Sequence, residues 1–140
     1  MSPNLQQIFA THQLRATKPR LVILDALKNA AAPLSITQLV QQCPSIDKVS
    51  VYRTIDTFKK TSIVTVVTHG WKQRYELAAP FRPHHHHLVC ATCGQVVEIH
   101  SKKLEQIVAR IAQNHAFQAQ SHTFEITGLC GDCQAIRPAA

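Results

Sequence analysis

The sequence contains no apolar run approaching the ~18 residues that a membrane-spanning helix needs. Its first residues, Met-Ser-Pro-Asn-Leu-Gln-Gln, lack the charged-then-apolar pattern of a secretory signal. A helical membrane protein is thereby excluded, and a cytoplasmic setting is the expectation. The chain also lacks internal repeats and, apart from one histidine run, low-complexity tracts. Acidic residues are scarce, eight against fifteen Lys and Arg, for a net charge of +7. An even set of cysteines is missing too. Five thiols without an export signal point to metal binding rather than to a disulfide framework.

What is present is a 140-residue chain, 45% hydrophobic, long enough for one domain or two small ones. Its charge is uneven: residues 1–80 hold ten Lys and Arg against four Asp and Glu, whereas residues 81–140 hold five against four. A basic first half is an electrostatic footprint for nucleic acid.

The first half reads as short helices followed by a hairpin. Residues 4–14 place Leu5, Ile8, Phe9 and His12 on one helical face. Thr17 and Pro19 open a second helix carrying Leu21, Leu24 and Leu27, and Ser35 caps a third through Leu39 and Val40, closed by Pro44. Cys43 reads as a small buried hydrophobe. Asp47 or Ser50 starts a fourth helix whose Val51, Ile55 and Phe58 face a core. A β-branched run from Ile63, a turn at His69-Gly70 and a return through residues 74–77 complete a winged helix-turn-helix. The expected domains are 1–78, a linker over 79–83, and 84–140, the last a small β-β-α-β unit with a helix capped by Ser101. The fold class is therefore α+β.

Three constellations carry chemistry. Two Cys-x-x-Cys pairs, Cys90/Cys93 and Cys130/Cys133, are separated by 36 residues. Four thiolates bind zinc tetrahedrally in closed structural sites and leave no position open for catalysis. The run His84-His85-His86-His87 precedes Cys90, and in an extended strand alternate residues face opposite sides. His85 and His87 would then serve one site and His84 and His86 another. Finally, the helix bearing Ser50, Tyr52, Arg53 and Thr54, with Lys48, Lys59 and Lys60, suits a DNA major groove, where Arg reads guanine and Tyr or Thr meets a thymine methyl or a phosphate.

Taken together, Thr17-x-Pro-Arg, Val-Tyr-Arg-Thr at 51–54, Tyr75-Glu-Leu, the stretch HHHHLVCATCG at 84–94 followed by Glu98, and the final Cys130-x-x-Cys133 resemble the ferric uptake regulator family of bacterial repressors. The resemblance implies a winged-helix DNA-binding domain joined to a dimerisation domain, acting as a homodimer that binds an operator when loaded with a regulatory metal. It implies structural zinc on the four cysteines, a sensing site of Glu76, His85, His87 and Glu98, and an additional site of His84, His86, Glu105 and His122. Tyr52 and Arg53 match the recognition pair, and Arg20 matches a backbone-contacting arginine. His86 stands where many iron-sensing members have Asp, and Pro33 falls near a histidine that they often supply. Both departures favour a four-coordinate, nitrogen-rich site, hence zinc over iron(II), with manganese(II) also open. Zinc-sensing relatives often carry a cysteine near Ala78 or Glu76, absent here.

The resemblance implies neither a membrane nor a small organic substrate as partner, and no enzyme activity. One alternative is a peroxide-sensing, iron-dependent repressor of the same fold. Another is a zinc hydrolase using the histidine run with Glu98 or Glu105 as base, although nothing would then explain the basic helix and wing.

Overall fold

In the computed structural model, residues 4–79 and 81–136 are described. The chain divides into two compact units between Pro83 and His84. Among the described residues no helix is long and apolar enough to cross a membrane.

The first unit starts with α1 (Leu5–Thr11), where the Asn4 side chain accepts from the Gln6 amide, and α2 (Lys18–Asn29), which has Thr17 at its N-cap position and a proline in the first turn. α3 (Ile36–Gln42) opens on a reciprocal capping box between Ser35 and Gln38. α4 (Lys48–Lys60) is capped by Asp47. The wing is β1 (Val64–His69) antiparallel to β2 (Lys72–Leu77), from Val64 opposite Leu77 to His69 opposite Lys72. Tyr75 also exchanges backbone hydrogen bonds with Leu34, which ties the wing to the segment before α3.

The core of this unit takes up most of the expected set: Leu24, Leu27, Leu39, Val51, Ile55, Phe58 and Ile63 are buried, with Phe9 stacked on Phe58, whereas Leu21 of the expected α2 stripe is only half-buried and Ile23, outside it, is fully buried. Cys43 joins them, and burial pushes its thiol above its ordinary range. Phe81 packs against the same core.

Some local expectations are corrected. The wing turn is Gly70-Trp71 rather than His69-Gly70, because pairing runs on through His69, and Gly70 takes the positive φ of 57° that a two-residue hairpin needs. His12 is the C-cap of α1 rather than part of its stripe. Thr17 sits at the cap position but accepts no capping hydrogen bond.

The second unit is a three-stranded sheet in the order β4-β3-β5, formed by β3 (His86–Cys90), β4 (Val96–Ile99) and β5 (Glu125–Gly128). β4 is antiparallel and β5 parallel to β3. α5 (Lys102–Asn114), capped by Ser101, lies between β4 and β5 in the chain. A short α6 (Gly131–Ile136) follows, which the periodicity did not predict. Among the described residues of this unit Val89 and Cys90 are the buried apolar ones, whereas Ile107, Ile111, Phe117 and Ile126 are exposed. A unit with so small a core needs cross-links or a partner.

Candidate metal centres and recognition helix

The four thiols converge because β3 ends at Cys90, the turn after it carries Cys93, and Cys130 and Cys133 bracket the start of α6. Gly94 closes the first knuckle with φ of 75°. The four sulfurs lie within 4.8 Å of one another, and Cys93 Sγ is 3.7 Å from Cys130 Sγ. That separation matches the ~3.8 Å edge of a tetrahedron with zinc–sulfur bonds of ~2.3 Å. Backbone amides of Cys130 and Cys93 lower the Cys90 thiol to about 5, while the Cys130 thiol beside Cys133 helps push that group up to about 12. One thiolate is thus readily formed, and four together call for a cation. The donor set and its geometry fit zinc.

The histidine run splits across β3. On one side His84 and His86 meet His122 and Glu105, the latter in the first turn of α5. Glu105 Oε1 is 2.6 Å from His86 Nε2 and 3.4 Å from His84 Nε2, and Glu105 Oε2 is 2.9 Å from His122 Nε2. His84 Nε2 and His122 Nε2 approach to 3.0 Å. His86 is buried, with its ring edge-on to Phe124. The His86 hydrogen bond holds the Glu105 carboxyl below its ordinary range, and desolvation holds His84 below its own. A neutral imidazole and an ionised carboxylate are the forms that bind a metal, so these four residues fit one as a three-nitrogen, one-oxygen set.

On the other side the His85 and His87 rings meet edge to face, with centroids 4.8 Å apart. Glu98 stands opposite His87 in the β3–β4 register, and its Oε1 is 3.9 Å from His85 Nδ1. The same oxygen is 2.8 Å from His100 Nε2. Sequence reasoning assigned His100 no role; its position two residues from Glu98, on the same strand face, was the available signal. Glu76 belongs to the first unit, buried near the end of β2, with Arg82 Nη1 at 3.8 Å from its carboxylate.

On α4, Tyr52 is half exposed, Arg53 and Lys48 are exposed, and the Lys48 ammonium lies 6.0 Å from the Tyr52 ring centroid. Ser50 directs both its amide and its hydroxyl to Asp47, at 2.9 and 2.7 Å, so it acts in the helix cap. Thr54 is buried, at 5% exposure. It lines a cleft of about 160 Å³ with Thr17, Arg20 and Arg53. Arg20 Nη1 donates to the Arg15 carbonyl at 2.9 Å, which steadies its guanidinium.

The sequence model of the Ferric uptake regulator family matches residues 11–127. A ferric uptake regulation protein of Campylobacter jejuni is 32% identical over 127 residues, covering 86% of this chain and 80% of the relative. One from Neisseria gonorrhoeae is 33% identical over 130 residues, covering 87% and 88%. The crystal structure of the Vibrio cholerae ferric uptake regulator aligns with a TM-score of 0.75 at 30% identity, over 91% of this chain and all of that one.

Proposed function

The chain belongs to the ferric uptake regulator family, whose members are transcriptional regulators and not enzymes, and from that premise we propose that it is a DNA-binding repressor of metal-uptake genes, active as a metal-loaded homodimer. The hydrolase alternative falls with that membership.

The observation that carries the reading is the division of four consecutive histidines between the two faces of β3, each face meeting a carboxylate. In this proposal Cys90, Cys93, Cys130 and Cys133 hold structural zinc. Glu76, His85, His87 and Glu98 take the regulatory metal, and His84, His86, Glu105 and His122 take a further ion. Zinc is favoured over iron(II) and manganese(II) as the regulatory metal because Pro33 stands near a position from which a further histidine ligand would come, which leaves a four-ligand set, and because His86 adds an imidazole where many iron-sensing members have Asp. A metal drawing ligands from both units ties their orientation to metal supply. Coupling of a few kcal/mol is enough to switch DNA affinity. In the dimer, two α4 helices would enter successive major grooves ~34 Å apart, with Tyr52 and Arg53 on bases and Arg20 and Lys48 on phosphates. The exposed Ile107, Ile111 and Ile126 support a second copy as the partner of this unit.

The test is metal analysis of the purified protein alongside DNA binding titrated with zinc, iron(II) and manganese(II). The reading expects one zinc per chain that resists mild chelation and DNA binding that rises with a second equivalent. DNA binding indifferent to added metal and to chelator would sink it. The peroxide-sensing alternative predicts a +16 mass shift on the peptide spanning His84 to His87 when the iron-loaded protein meets peroxide.

A further inference from the structure

β4 and the residue that follows it place two side chains across from His85 and His87. In the antiparallel register of β3 with β4, His87 lies opposite Glu98 and His86 opposite Ile99. One step further along the same register, past the last paired residues, His85 comes opposite His100, and their ring centroids are 6.0 Å apart. Residues two apart on a strand share a face, and residues directly opposite one another share it too. His85, His87, Glu98 and His100 are therefore two adjacent cross-strand pairs on one side of the sheet. All four belong to the second unit.

Glu98 Oε1 approaches both end histidines, at 3.9 Å from His85 Nδ1 and 2.8 Å from His100 Nε2. A tetrahedral metal with ligand bonds of ~2.0 Å holds its donors ~3.3 Å apart, and these two separations bracket that value. His85 and His87 complete the array from β3, with ring centroids 4.8 Å apart. The His85 side chain is only 6% exposed, whereas that of His100 is 58% exposed. The inner imidazole is thus fixed by packing, and the outer one is free to change rotamer toward an ion. Three imidazoles and one carboxylate also repeat the donor set of the other face, where His84, His86 and His122 meet Glu105.

We propose that His85, His87, Glu98 and His100 form a ligand set for a divalent transition metal that is complete within the second unit, with His100 in the position that the regulatory-site reading gives to Glu76. The inference rests on that reading, with which it shares three ligands, and adds to it a place where the metal is captured before the first unit takes part. To ligate, the His100 ring carries its proton on Nδ1, and Nε2 changes from hydrogen-bond donor to ligand atom. His100 and Glu76 then compete for one coordination position. Metal held through His100 leaves the first unit uncoupled, and exchange for Glu76 engages it, so His100 sets how much metal is needed before DNA binding responds.

The test is equilibrium dialysis of the zinc-loaded 140-residue chain against cobalt(II), with bound cobalt and zinc counted and the absorption spectrum recorded. Glu76→Ala should keep as many cobalt ions as the wild type at the same free concentration, and adding His100→Ala should remove one. The affinity lost in that second step should exceed the ~10–100-fold that loss of an outer-shell hydrogen bond costs. His100→Cys in the Glu76→Ala background should restore the ion and add a sulfur-to-cobalt charge-transfer band absent from Glu76→Ala, which a residue that only orients Glu98 cannot produce. Loss of the ion from Glu76→Ala alone overturns the inference and leaves the regulatory-site reading intact. An ion kept with unchanged affinity by the Glu76→Ala, His100→Ala protein overturns it, as does a bound ion without the new band in the cysteine variant. Equal cobalt counts for the wild type and His85→Ala would remove the regulatory-site reading and this inference together.

Discussion

His86 Nε2 and Glu105 Oε1 are 2.6 Å apart, which joins a buried imidazole at the start of β3 to the first turn of α5. The contact spans 19 residues and lies in the same unit as the four thiols. It brings two of the four candidate ligands of this cluster within hydrogen-bond distance of each other. A metal entering it meets ligands already gathered.

Removing that carboxylate therefore tests structure and binding at once. Glu105→Ala leaves His86 buried without this partner, and the melting temperature of the metal-depleted protein should fall by about 5 °C. Metal analysis should show one ion fewer per chain, with the cysteine-bound zinc retained. The Glu105 carboxyl lies below its ordinary range in the folded state, so its stabilising contribution is present above the unfolded pKa and fades as pH falls through the lower folded value. The wild-type and variant melting curves should converge in acid; a constant gap down to the most acidic pH tested would contradict this assignment.

The opposite face of β3 is the proposed sensor, and its loss should separate cleanly from the first variant. His85→Ala removes one imidazole of the regulatory set. The DNA affinity gained on metal addition, expected at about 10–100-fold for the wild type, should vanish, while far-ultraviolet circular dichroism and the structural zinc stay unchanged. If the variant still answers metal as the wild type does, the regulatory metal lies elsewhere.

The second unit exposes Ile107 and Ile111 one helical turn apart on α5. That spacing makes a single stripe. Replacing both with Glu should convert a dimer into a monomer by sedimentation velocity and lower DNA affinity, since two half-sites then bind independently. Unchanged sedimentation would place the dimer contact on another surface.

Much of this was legible because burial and metal ligation leave periodic marks. Val51, Ile55 and Phe58 repeat with the helix and are all buried. The four histidines alternate with the strand, and the pairs His84/His86 and His85/His87 fall on separate faces. What escaped had no period to read. α6 spans six residues, opens on Gly131 and buries none of them, so only convergence of the thiols accounts for it. The hydrogen bond between His100 and Glu98 depends on side-chain rotamers at a strand end rather than on pattern. The hydrogen bonds by which Asp47 recruits the Ser50 amide and hydroxyl into the helix cap were likewise not legible, because local competition for helix donors decides them.

That same helix supplies the last prediction. Arg53 is exposed on α4 and shares a cleft with Arg20 and Thr17, whereas Thr54 beside it is buried. If Arg53 reads a base edge, Arg53→Ala should cost about 1–3 kcal/mol in operator affinity and relax preference at one base position. Lys48→Ala, by contrast, should weaken binding to all sequences alike and reduce the slope of log affinity against log salt by about one. The two variants thus divide specificity from charge. Binding measured at several salt concentrations on a duplex selected from a random pool by the zinc-loaded protein, and on a scrambled one, distinguishes them. Equal losses on both duplexes for Arg53→Ala would make that arginine a phosphate contact and shift base reading to Tyr52.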